Sequence, residues 1–156
     1  MKLFIISDTH GNFALAMKAL SEAGQTDIIV HLGDGFPDAE LMRNILNTDI
    51  TGVAGNCDPG SDAPRELLWE CEGKRILLTH GDAYGVKSGL ERLKQRALEA
   101  RADLVLFGHS HIATQELYSD ILFLNPGTMT PAAPYKSYAI AEITADGITA
   151  SLHSII

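Results

Sequence analysis

The sequence is short of cysteine, of positive charge and of long apolar runs, and each shortage removes a class of protein. Its two cysteines, Cys57 and Cys71, lie too far apart for a Cys-x-x-Cys motif. A disulfide framework is therefore excluded, and nothing points to an oxidising compartment. Lysine and arginine number 12 against 20 aspartates and glutamates, a formal net charge of -8. Such a surface has no general attraction for nucleic acid or anionic lipid, and no basic run or aromatic platform for bases interrupts it. No apolar run reaches the roughly 20 residues that a membrane-spanning helix needs. Met1–Ile6 meets Ser7-Asp8 at once, which leaves no room for a signal peptide, so the expected location is the cytoplasm. Internal repeats, low-complexity segments and linkers are missing too. With 46% hydrophobic residues, the 156 residues are expected to form a single domain, 1–156.

What is present centres on Leu104-Val105-Leu106-Phe107-Gly108-His109-Ser110-His111. The apolar run reads as a buried strand, the glycine ends it, and two histidines follow with one residue between them. If the chain stays extended there, the imidazoles point to different sides and suit two neighbouring acceptors better than one. Two adjacent metal ions are such acceptors, although a pair of loop histidines that bind nothing fits this segment equally well.

The rest of the chain alternates strand and helix for two thirds of its length. Strands are expected at Lys2–Ile6, Asp27–Leu32 and Ile50–Ala54, with helices at Phe13–Ala23 and from Pro37 to near Asn47. Arg65–Cys71 and Lys74–Thr79 form a hairpin about Glu72-Gly73, and apolar spacing predicts a helix over Val86–Ala100. The last third contains strands without helices, at Ala113–Tyr118, Ile121–Leu124, Ser137–Ile143 and Ile148–Ser154. The expected fold class is therefore mixed α/β, with two mixed sheets packed face to face and helices outside.

Five apolar runs each end in polar residues that bind metals: Asp8 and His10, Asp34, Asn56, His80, and His109 with His111. Parallel strands bring such ends to one edge, where ligands bind in open α/β sheets. Seven groups are too many for one catalytic ion, which typically keeps about three protein ligands, and suit two ions if one carboxylate bridges. Imidazole and oxygen donors without thiolate suit manganese, nickel, zinc, iron or cobalt.

Asp8-Thr9-His10, Gly33-Asp34, Gly55-Asn56-Cys57-Asp58, His80-Gly81 and Gly108-His109-Ser110-His111 stand in the order found in calcineurin-like metallophosphoesterases. With Asn125-Pro126-Gly127-Thr128, the chain resembles the small stand-alone phosphodiesterases of bacteria and archaea. The resemblance implies an αββα sandwich and two divalent transition-metal ions, manganese or nickel being favoured. One ion would sit on Asp8, His10, Asp34 and His111, the other on Asp34, Asn56, His80 and His109, with Asp34 as the bridge. It further implies hydrolysis of a small phosphodiester through attack by a metal-bridging hydroxide, with Asp34, Asn56 and His109 in the catalytic centre.

Cys57 is either a small loop residue or a general acid, and Asp58 either orients a ligand histidine or holds a turn beside Pro59. Asp82 stands where many superfamily members carry a second histidine. Thr128 replaces a more usual serine, and an arginine expected shortly after it is missing around Pro131-Ala132-Ala133. Tyr84 and Lys87 follow His80 closely enough to reach a substrate. His31 reads as a core residue, His153 as a strand-face residue and Asp38 as a first-turn helix acid. Two alternatives share the fold: a protein-interaction scaffold such as a retromer subunit, and a nuclease, which the lack of a basic groove disfavours. Homo-oligomer formation is compatible with the sequence.

Overall fold

The first strand, β1 (Lys2–Ile6), shows how both sheets are layered. Leu3 and Ile5 join Leu78, Leu104 and Leu106 in one buried cluster, whereas Phe4 and Ile6 join Ala16, Ala19 and Met42 in another. Alternate side chains of a strand leave opposite faces, so one strand serves two cores. A strand buried on both faces has no polar side to show, which is why β1 reads as a continuous apolar run.

The computed structural model describes residues 1–156. Its first sheet is ordered β10-β9-β1-β2-β3, with β2 at Ile28–His31, β3 at Ile50–Gly52, β9 at Lys136–Thr144 and β10 at Gly147–Ile155. Its second sheet is ordered β4-β5-β6-β8-β7, with β4 at Glu66–Cys71, β5 at Lys74–Thr79, β6 at Leu104–Leu106, β7 at Thr114–Tyr118 and β8 at Ile121–Asn125. Strands β1, β2 and β3 are mutually parallel, as are β5, β6 and β8, and each sheet gains its other two strands through antiparallel pairing. The sheets pack on each other through Leu3, Ile5, Ile76, Leu78 and Leu104. Helices α1 (Phe13–Ala23) and α2 (Phe36–Leu46) cover the first sheet, and α3 (Glu91–Ala100) covers the second through Leu93 and Ala97. This is the two-sheet, helix-flanked architecture expected from the sequence. No helix is long and apolar enough to cross a membrane.

One helix is shorter than its pattern. The apolar spacing from Val86 becomes α-helix only at Glu91. Before it come a 3-10 turn at Asp82–Tyr84 and two glycines, Gly85 and Gly89, with φ of 60° and 143°. A right-handed helix has no place for such φ values. Val86 is still buried, but packs against Gly81 instead of continuing a helix face.

Glu66 fastens this irregular stretch to the second sheet. One of its carboxylate oxygens receives Nε and Nη2 of Arg96 at 3.1 and 2.8 Å, and the other receives the Tyr84 hydroxyl. The Tyr84 hydroxyl is thus engaged by Glu66. Burial pushes the Glu66 pKa up, but Arg96 and Tyr84 outweigh it and leave it below its ordinary value of 4.5. A carboxyl group depressed in the folded state contributes stability above its unfolded pKa, and loses it as pH falls through the folded one. Glu66→Gln should therefore cost about 1 kcal/mol in unfolding free energy at neutral pH, discounted for its partial exposure. In denaturant titrations the gap from wild type should close below about pH 4. A gap independent of pH would remove the ion pair as its cause.

Candidate metal centre

The carboxyl ends of all six parallel strands meet at one edge between the sheets. Beyond β1 lie Asp8 and His10, beyond β2 Asp34, beyond β3 Asn56, beyond β5 His80, and beyond β6 His109 and His111. Strand β8 ends in the buried Asn125. Its amide nitrogen donates to the Gly108 carbonyl at 3.2 Å and to the Ser110 hydroxyl at 2.9 Å, holding the loop that carries both histidines.

Two groups of donors form there. Asp8, His10 and His111 each place a ligand atom within 4.8 Å of the others, and so do Asp34, His80 and His109. Asp8 Oδ1 lies 3.1 Å from His111 Nε2 and 3.8 Å from His10 Nε2. Asp34 Oδ2 lies 3.2 Å from His80 Nε2, and His109 Nδ1 lies 3.2 Å from the same nitrogen. The groups adjoin. Asp34 Oδ2 is also 3.8 Å from His10, and Asp8 Oδ1 is 3.8 Å from His80. Both carboxylates therefore stand between the two sets of imidazoles.

Asp8, Asp34 and His80 are each aimed by a second contact. The other oxygen of Asp8 takes the Ser7 hydroxyl and the His109 amide, and the other oxygen of Asp34 takes the Cys57 amide at 2.8 Å. His80 Nδ1 lies 2.8 Å from the Leu32 carbonyl. A carbonyl only accepts, so Nδ1 carries a proton and Nε2 is the nitrogen left to face the cluster, the one a metal would take.

Backbone shape is as specific as the side chains. Asp8, His10, Asp34, His109 and His111 all have positive φ, between 43° and 68°, and make up five of the ten non-glycine residues that do. Such conformations cost about 1–3 kcal/mol each when the neighbours impose them, and they gather at functional sites. The alternation expected for an extended chain is thus not how His109 and His111 diverge. They divide between the two groups as expected, but from left-handed turns.

Close approach of the loops leaves no room for a side chain at Gly55 or Gly108. A Cβ on Gly55 would lie 2.1 Å from Asp34 Oδ1, and one on Gly108 would lie 2.1 Å from Ser7 Oγ and 2.9 Å from Asp8 Oδ2.

Asp58 is the largest positional surprise. Its carboxylate does not touch a histidine ligand. It accepts the amides of Asp34 at 2.7 Å, Gly35 at 3.1 Å, Phe36 at 3.0 Å and Gly55 at 2.9 Å. Burial opposes its charge, but these four amides hold its pKa below the ordinary carboxylate value. It clamps the Asp34 loop to the loop before Asn56.

The charges of the candidate ligands follow from the same contacts. Burial raises the Asp34 pKa, but the His80 hydrogen bond, the Cys57 amide and the nearby histidines hold it well below the usual carboxylate range. Burial lowers the His80 pKa, and Asp34 and Asp8 more than reverse that. His109 moves down, through burial and then through His80 and Lys87. Lys87 is exposed and makes no hydrogen bond or ion pair with the protein.

Cys57 is exposed, with its thiol 3.5 Å from Asn56 Nδ2. Desolvation and then the Asp34 carboxylate push that thiol up, so it stays protonated at neutral pH. Asp82 bonds Arg65 at 2.6 Å. Thr128 donates to the Asp8 carbonyl at 3.1 Å, supporting the first ligand loop.

Three supports have no clear sequence signal. Asp38, expected as a helix-end acid, is buried and accepts the Gly11 amide at 2.8 Å, fixing the turn after His10. His31 is buried, its Nδ1 accepting the Gly33 amide and its Nε2 lying 3.0 Å from the Thr9 hydroxyl. Desolvation lowers its pKa and keeps it neutral, so it joins the Asp8 and Asp34 loops without adding charge. Arg65 is the third.

The donor set fits divalent transition metals: buried carboxylates, ring nitrogens gathered with them, and no thiolate in either group.

The family model for the calcineurin-like phosphoesterase superfamily domain matches residues 1–146. The chain is 36% identical over 152 residues to the probable metallophosphoesterase YsnB of Bacillus subtilis, covering 96% of this chain and 88% of that one. It is 27% identical over 154 residues to the phosphodiesterase YfcE of Escherichia coli K12, covering 83% and 80%. A crystal structure of a predicted phosphoesterase from Streptococcus pneumoniae superposes with a TM-score of 0.76 at 27% identity, covering 99% of this chain and 97% of that one.

Proposed function

Because the chain belongs to the calcineurin-like phosphoesterase superfamily, we propose that it is a dinuclear-metal phosphodiesterase acting on small substrates in the cytoplasm. The observation that carries this reading is the pair of adjoining ligand groups with a buried carboxylate between them. Asp8, His10, Asp34 and His111 would hold one ion, and Asp34, Asn56, His80 and His109 the other. Bound there, divalent ions supply Lewis acidity and bring the pKa of a water ligand from about 15.7 to near 7.

The chain itself does the positioning. Asp58 and the Cys57 amide set the Asp34 carboxylate, Leu32 sets the His80 tautomer, and Ser7 sets Asp8. His10, Asn56 and His111 are the ligands most open to a substrate, whereas His109 is half-buried and feels the charge of the exposed Lys87. Cys57 is assigned the role of a small loop residue whose amide engages Asp34. The acidic surface, at net charge -8, favours small diesters over nucleic-acid polymers, which need distributed positive contacts.

Elemental analysis of the purified protein should find two divalent ions per chain. Hydrolysis of a bis-aryl phosphodiester should vanish on chelation and return best with manganese or nickel. Saturation at one ion removes the dinuclear reading, and activity that survives thorough stripping removes metal dependence. Fully loaded protein inactive on every phosphoester would leave the scaffold role.

A further inference from the structure

An arginine would add phosphate recognition beyond that of the metals, and Met129–Tyr135, after Thr128, contains no basic residue. An arginine from elsewhere bonds two of the loops that lead to the candidate ligands. The Pro64 carbonyl accepts the Ala54 amide at 2.8 Å, so the chain around Arg65 runs beside the segment leading to Asn56. Arg65 Nη1 then donates to the Gly55 carbonyl at 3.0 Å, and Nη2 to Asp82 Oδ2 at 2.6 Å. Gly55 immediately precedes Asn56, and Asp82 lies two residues after His80. One guanidinium thus spans the loops that carry two ligands of the same proposed ion.

Stability does not account for this arrangement. The Arg65 side chain is 57% exposed, and exposed ion pairs contribute little. A guanidinium has five N–H donors, and two bonds to protein leave three with no protein acceptor. Asp82 by itself is an anomaly, an acid two residues from His80 in a centre meant for anions. As the anchor of a guanidinium it is explained. Planar, permanently charged Arg is the side chain best suited to phosphoryl oxygens.

We propose that Arg65 receives a non-bridging phosphoryl oxygen of the substrate, and that Asp82 is the positioning residue that holds its guanidinium at the site. The proposal rests on the phosphoesterase reading and names a substrate-binding residue within it.

The test uses metal-loaded wild type, Arg65→Ala, Arg65→Lys and Asp82→Asn. Metal content, binding of inorganic phosphate by calorimetry, and kcat and KM on the bis-aryl diester are measured for each. All four should hold the same complement of metal. Arg65→Ala should bind phosphate about 10- to 100-fold more weakly, the scale of one charge-assisted hydrogen bond. Its KM should rise by a similar factor, with kcat changing less. Arg65→Lys should recover part of the phosphate affinity, because the charge remains while the bridge between loops is lost. Asp82→Asn separates positioning from field. Removing a negative charge would by field alone tighten phosphate binding, whereas loss of the anchor should weaken it about 3- to 10-fold.

Unchanged phosphate affinity in Arg65→Ala, or affinity in Asp82→Asn that stays level or tightens, overturns the proposal. So does loss of metal in Arg65→Ala that accounts for its weaker binding. Failure of the enzymatic reading looks different. Loaded wild type would then hydrolyse no phosphoester, while the phosphate titrations would still report on Arg65.

Discussion

Asp34→Asn should lower occupancy at both metal positions and reduce phosphodiester hydrolysis by several orders of magnitude, the scale seen when a catalytic unit is broken. The substitution is unusually clean. Asp34 sits at φ 60°, a conformation that asparagine tolerates better than most residues. The asparagine oxygen also keeps an acceptor for the Cys57 amide, which now bonds Oδ1 at 2.8 Å. What disappears is the charge of Oδ2, the atom 3.2 Å from His80 and 3.8 Å from His10. Asp8→Asn is the control, since Asp8 also lies near both groups, at 3.1 Å from His111 and 3.8 Å from His80. If Asp34 alone bridges, titration of stripped protein should show both affinities reduced in Asp34→Asn and one preserved in Asp8→Asn. One affinity preserved in Asp34→Asn, with both lost in Asp8→Asn, would move the bridge to Asp8.

The second large effect falls on a residue that is not a proposed ligand. Asp58→Ala should destabilise the metal-free protein by about 3 kcal/mol or more, because it strands the amides of Asp34, Gly35, Phe36 and Gly55. The same change releases the Asp34 loop. Metal affinity should fall by about 10- to 100-fold, as when the partners that orient a ligand are removed. Asp58→Asn should rescue little. Its amide nitrogen is a donor, so at least one buried N–H would face another N–H. Denaturant unfolding of stripped protein and metal titration read the two effects separately. Wild-type stability with intact metal binding in Asp58→Ala would refute the clamp.

These two residues also mark how far the sequence could be read. Asp34 was legible because it ends a short apolar run, and parallel strands collect such ends at one edge. The same rule placed Asp8, His10, His80, His109 and His111 together, and the resemblance divided them between two ions. Asp58 was legible only as a turn residue or an orienting acid. Its partners include amides 22 to 24 residues away, a separation that carries no periodic signal. Asp82 was visible as a charge without a reason, because its partner Arg65 stands 17 residues earlier on another loop. The helix predicted from Val86 failed for a local cause. Val86 and Leu90 have helical spacing, but Gly85 and Gly89 take φ values no right-handed helix accepts.

The left-handed conformations of the proposed ligands bear on how mutational scans of this protein are interpreted. At His109 or His111 the backbone sits at φ 68° or 63°, where alanine is as badly accommodated as most side chains. An alanine variant would therefore lose the imidazole and leave the backbone still under strain. Asparagine, which tolerates that region, removes the imidazole with less distortion, and glycine lets the turn relax altogether. A library scored for abundance and for activity should then split at these positions. Glycine and asparagine variants would survive the first screen and fail the second, so the residues needed most for chemistry would be among those the fold would most readily exchange.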